Sequence, residues 1–74
     1  MKWSNKKSER YNMSYHKTAR GKGYKAKVVY NCYYDEYYFM TEKSGEIYNS
    51  CWDNLKFKTE DECKQACEHW IDER

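Results

Sequence analysis

Four cysteines, two histidines and a run of cations interleaved with aromatic rings are the residues of this 74-residue chain whose chemistry could define a function. Cys32, Cys51, Cys63 and Cys67 admit three readings. They could form two disulfides, with three pairings available. They could hold a tetrahedral zinc ion, since Cys63 and Cys67 at i, i+4 share a helix face on which two strand cysteines would have to converge. They could equally be small buried hydrophobes in a reducing cytosol. Only Cys63 and Cys67 have the close spacing that zinc sites favour, so no metal or other cofactor is expected. His16 and His69 are the only histidines, neither is placed beside a nucleophile, and no glycine-rich phosphate loop is present. A core this small shapes no pocket for Cys–His chemistry, and the expectation is a non-catalytic protein.

The cations offer more. Lys6, Lys7, Arg10, Lys17, Arg20, Lys22, Lys25 and Lys27 alternate with Trp3, Tyr11, Tyr15, His16 and Tyr24. Cations neutralise phosphates while aromatic faces stack on bases, the combination that single-stranded nucleic acid or an RNA loop requires. The formal net charge of +2 conceals this concentration. Residues 1–27 hold nine Lys/Arg against one acid (+8), and residues 28–74 hold five against eleven (−6). RNA or DNA is therefore an expected partner of the first segment. No zinc-finger or RNA-recognition signature accompanies it.

Tyrosine is the third resource. Tyr30, Tyr33, Tyr34, Tyr37, Tyr38 and Tyr48 cannot all lie beneath one helix, because an antiparallel sheet covered on one side leaves its alternate residues facing solvent. Tyr33, Tyr34, Tyr37, Tyr38 and Tyr48 are the expected protein-binding surface, tyrosine being enriched at interfaces. The alternative is cross-strand pairing that only stabilises the sheet. The acidic groups Asp35-Glu36, and Glu60-Asp61-Glu62 with Glu68, Asp72 and Glu73, could face a basic protein surface; a helix cap plus a solvated helix face is the preferred reading, since capping already explains the second group.

These residues must be positioned by a small framework, since 35% of the chain is charged and its mean hydropathy is −1.35. Residues 1–23 lack apolar periodicity and are expected to be a flexible basic arm, jointed to the body at Gly21-Lys22-Gly23. Residues 24–74 then form a β-β-β-α domain. Tyr24 to Tyr30, Tyr33 to Thr41 and Glu46 to Trp52 have strand composition, with reversals at 32–36 and at Glu42-Lys43-Ser44-Gly45. Thr59 followed by Glu62 is a capping box. Cys63, Ala66, Cys67, Trp70 and Ile71 then make one apolar stripe at helical spacing. The expected fold is α+β: a three-stranded antiparallel sheet packed by one C-terminal helix of about fourteen residues in two layers.

Two resemblances bear on function. Phe57-Lys58-Thr59-Glu60-Asp61-Glu62-Cys63-Lys64-Gln65-Ala66-Cys67, preceded by Tyr48-Asn49-Ser50-Cys51, resembles the closing segment of Kunitz-type inhibitor domains. That likeness implies a secreted, disulfide-stabilised inhibitor or toxin. The cysteines present would match that family's fourth, fifth and sixth, each without its partner, and Cys32 matches none. The likeness is accordingly read as convergence on a capped helix. The short sheet followed by Phe57, Thr59, Glu62, Ala66 and Trp70 is similar to small bacteriophage and prophage accessory proteins. It implies an intracellular inhibitor or modulator that occupies a host protein or nucleoprotein in the host-cell cytoplasm. No membrane partner is expected, and an exposed sheet or edge strand suits homodimerisation.

Overall fold

The computed structural model describes residues 1–5, 8–9 and 14–74. The chain forms an antiparallel meander of four strands: β2 (Tyr15–Gly21), β3 (Tyr24–Asn31), β4 (Glu36–Lys43) and β5 (Glu46–Asn49). A two-residue strand β1 (Ser8–Glu9) pairs with the outer edge of β2. After β5 comes a single 3-10 turn (Ser50–Asp53), and then the helix α1 (Glu60–Asp72). The α+β class and the C-terminal helix agree with expectation. The three-stranded sheet does not, because the segment assigned to the arm supplies a full strand.

Turn chemistry explains the difference. Lys22 and Gly23 have φ of 51° and 80°, and Ser44 and Gly45 have 52° and 83°. Both pairs form two-residue hairpin turns with two left-handed residues, closed by Gly21↔Tyr24 and Lys43↔Glu46. The Lys22-Gly23 step is thus the β2–β3 turn rather than a joint. The remaining reversal, at 32–35, is held by side chains. Tyr33 N donates to Asn31 Oδ1 (3.0 Å), and Tyr30 Oη donates to Asp35 Oδ1 (2.8 Å), with Asp35 left-handed at φ 51°. Consequently β4 starts at Glu36, not at Tyr33.

Strand β5 also stops earlier than its composition implies. Asn49 Oδ1 accepts from Cys51 N (2.9 Å) and so caps the 3-10 turn, which takes the chain off the sheet at Ser50. The Phe39 N–H would otherwise lose its partner there. Fully buried Ser50 Oγ accepts from it (3.0 Å) and donates to Leu55 O (2.9 Å). The chain then rejoins the sheet edge, with Phe57 and Tyr37 exchanging backbone bonds of 2.7 and 2.8 Å. This fixes where α1 begins. Thr59 is its N-cap, accepting from Glu62 N (3.1 Å).

The core lies between α1 and one face of β3 and β4. It consists of Ala26, Val28, Phe39, Cys63, Cys67 and Ile71, each 2% exposed or less. Aromatic rings close its sides. Trp70 stacks on Tyr48 (4.8 Å between centroids, 14°), meets Tyr24 edge-on, and carries the Arg74 guanidinium 3.6 Å from its own ring centre. At the other end Tyr30 and Tyr37 pack at 4.9 Å, with Tyr15 within 6.5 Å of both.

One polar cluster pins the start of α1 to the sheet. Glu60 receives hydrogen bonds from Tyr15 Oη (2.8 Å) and Lys17 Nζ (3.0 Å) on β2, and an ion pair from Lys64 (2.8 Å) one turn on. Burial alone would push the Glu60 carboxyl up, but the bonds from Lys64, Lys17 and Tyr15 outweigh it and hold it at about 2. Burial, then hydrogen bonds with Tyr37 and Glu60, push the Tyr15 phenol upward.

Glu60 gives the first test. Its lowered pKa means that its stabilisation is complete above the ordinary carboxyl value of 4.5 and is lost as pH falls toward about 2. Glu60→Gln should cost about 1–3 kcal/mol in urea unfolding at neutral pH. That difference from the unsubstituted chain should shrink as pH drops from 4.5 to 2, and a pH-independent difference overturns the assignment. The cysteines give the second test. All four are free thiols; Cys63 and Cys67 are fully buried, whereas Cys32 and Cys51 are half-buried. Burial raises the thiol pKa of Cys63 and Cys51, and takes Cys67 up to about 12. A thiol reagent should label Cys32 and Cys51 in the native protein and reach Cys63 and Cys67 only in denaturant. Fewer than four thiols in the denatured, unreduced protein contradicts this state.

Candidate functional site: the open face of the sheet

Residues directly opposite one another in an antiparallel pair share a face, so the register sorts every side chain. Tyr15, Lys17, Ala19, Tyr24, Ala26, Val28, Tyr30, Tyr37, Phe39, Thr41 and Tyr48 face α1. The alternate residues form three rows on the face that no helix covers. Arg20, Lys25, Glu42 and Ile47 make one row straight across β2 to β5. Thr18, Lys27, Met40 and Asn49 make the next, and His16, Val29 and Tyr38 the third.

A shallow concavity of about 840 Å³ occupies the first two rows. Its floor is the sheet, with Met40 and exposed Ile47 on the β4–β5 side. Arg20, Lys25 and Lys27 stand on the β2–β3 side. Lys2 and Asn5 form a wall, brought there because residues 1–5 run along β2: Ser4 N donates to Thr18 O (2.8 Å), and Thr18 N donates to Ser4 Oγ (3.1 Å). Trp3 reaches round to the helix side, where its Nε1 donates to Glu68 (2.7 Å).

The eight cations singled out in the sequence therefore separate. Lys6, Lys7 and Arg10 lie outside the described residues. Lys17 points at the helix and is committed to Glu60. Lys22, in the β2–β3 turn, donates to the Asp72 carbonyl (3.0 Å) near the C-terminus of α1. Arg20, Lys25 and Lys27 gather on the open face, and none makes an ion pair with a described residue. Lys2 joins them. Sequence reading missed it because only the path of residues 1–5 along β2 brings it near.

The tyrosines separate as well. Tyr37 and Tyr48 belong to the helix side, and Tyr48 Oη donates to Asp53 (2.5 Å). Burial, with that bond second, takes its phenol up to about 12. Tyr38 stands on the open face, next to Met40 along β4 in its side-chain alternation. Tyr33 and Tyr34 project from the β3–β4 turn, 64% and 74% exposed. The five do not make one continuous surface, because the two-residue alternation of β4 sends Tyr37 and Tyr38 to opposite sides.

His69 is exposed on α1, with Nε2 2.8 Å from Glu73. No group of three or more His, Cys, Asp or Glu residues among those described could hold a metal ion. No helix of the described residues is long and apolar enough to cross a membrane. What the open face can do is attract anions. Arg20 and Lys25 are directly opposed like charges, an arrangement that disfavours the sheet and that a bound anion would relieve. Comparison with protein-family models, with curated proteins and with solved structures finds no match to this chain.

Proposed function

We propose that this chain is a small non-catalytic binding protein whose helix-free sheet face takes single-stranded nucleic acid. The observation that carries the reading is the cluster of Arg20, Lys25 and Lys27, without described ion-pair partners, beside an apolar floor. Phosphate groups satisfy the cations, and unstacked bases cover Met40, Ile47 and Tyr38. A duplex keeps its bases stacked inside and offers phosphates alone, which leaves the floor unused. Tyr33 and Tyr34, beyond the end of the strands, suit contact with protein, so a nucleoprotein is the partner class that uses both features. The free thiols support an intracellular setting.

Binding of a fluorescein-labelled uridine octamer, followed by anisotropy across a salt series, tests this reading. With Arg20, Lys25, Lys27 and Lys2 all engaged, log K should fall against log salt with a slope of about −3. Replacing Arg20, Lys25 and Lys27 together by alanine should lower affinity more than tenfold and flatten the slope by about 2. Lys22→Ala, outside the concavity, should leave both unchanged. Salt-independent binding sinks the proposal. So does equal affinity for polyglutamate, which would mark the face as a site for acidic protein.

A further inference from the structure

Resting on the reading of the open face as a single-strand site, one residue there remains without a role. Among the described residues, Glu42 is the one acidic side chain lining a concavity that four cations also line. It stands directly across from Lys25, yet the two are not within ion-pair distance, and no described residue donates to its carboxylate. A carboxylate among phosphate-binding cations weakens attraction for any polyanion. Its presence makes sense if its acceptors serve something other than phosphate.

The row across the sheet indicates what that is. Arg20 and Lys25 come first, then Glu42, then Ile47, each one strand further on. At about 4.8 Å between strands, Glu42 lies one step and Ile47 two steps beyond Lys25. A nucleotide with its phosphate over β2 and β3 reaches Glu42 with the Watson–Crick edge of its base, the part farthest from the sugar. An ionised carboxylate has two acceptor oxygens and no donor, so it prefers two adjacent donors in a fork. Among the Watson–Crick edges, guanine's has neighbouring N1–H and N2–H donors. Cytosine, adenine and uracil each set an acceptor beside their donor, against the second carboxylate oxygen. We propose that Glu42 reads guanine in single-stranded nucleic acid, through a bidentate bond to its Watson–Crick edge, while Arg20 and Lys25 hold the phosphate.

The experiment compares a uridine octamer with octamers in which one central uridine is replaced by guanosine, inosine, adenosine or cytidine. Each is titrated against the unsubstituted protein, Glu42→Gln and Glu42→Ala, with circular dichroism confirming that the variants are folded. The unsubstituted protein should favour the guanosine octamer by about tenfold, the order of a good bidentate base contact. Inosine, which lacks the N2 amino group, should lose most of that preference. Both variants should bind the five octamers alike, and should bind the uridine octamer more tightly because a negative charge is gone. Retention of the guanosine preference in the variants overturns the inference, as does salt-dependent binding by the unsubstituted protein with no base preference. That last result leaves the open-face reading standing, whereas failure to bind any octamer at low salt removes both.

Discussion

One thirteen-residue helix can cover one face of a four-stranded antiparallel sheet and no more, and the organisation of this chain follows from that limit. The covered face collects Val28, Phe39, Cys63, Cys67 and Ile71 into a core, and aromatic rings seal its margins. No described helix covers the other face; Thr18, Arg20, Lys25 and Ile47 are exposed there, whereas Val29 is buried. Its apolar side chains are Met40, Ile47 and Val29, and its cations Arg20, Lys25 and Lys27 make no ion pair with a described residue. In so small a domain the open face is a large share of the surface.

Glu60 ties the start of the helix to the sheet. Its carboxylate draws Lys17 and Tyr15 from the first long strand and Lys64 from the next helical turn. That cluster lets a lysine occupy the helix side of β2, where an apolar residue would ordinarily be found. It also divides the positive charge. Lysines engaged with helix groups contribute to the architecture, whereas Arg20, Lys25 and Lys27 are left on the opposite side. A strand's strict alternation makes the division sharp, because Lys17 and Thr18 cannot share a face.

Much of the covered half could be read directly from the chain. The capping residue Thr59, the stripe from Cys63 to Ile71 and the alternation in Tyr24 to Tyr30 all depend on local spacing, and each is present where spacing places it. The β2 strand was not legible in the same way. Tyr15–Gly21 reads Tyr-His-Lys-Thr-Ala-Arg-Gly, with a lysine on its inward side and a turn built on Lys-Gly rather than Asn-Gly. Its strand state comes from pairing with β3 and from a carboxylate more than forty residues away. The early end of β5 has a similar origin, since the Ser50 hydroxyl takes over a ladder bond from the backbone.

The candidate site shows the same division. Charge asymmetry and tyrosine abundance are properties of composition, and they single out residue types without placing them. Composition has no information about faces. Pairing register sent Tyr37 inward and Tyr38 outward, bound Lys17 to Glu60, and set Glu42 and Ile47 beside Lys25. Helix limits, a two-residue turn and the apolar stripe were settled by contacts within a few residues along the chain. The grouping of cations, apolar floor and one carboxylate required contacts between distant segments, because in a sheet neighbours across strands are fixed by register and not by order in sequence.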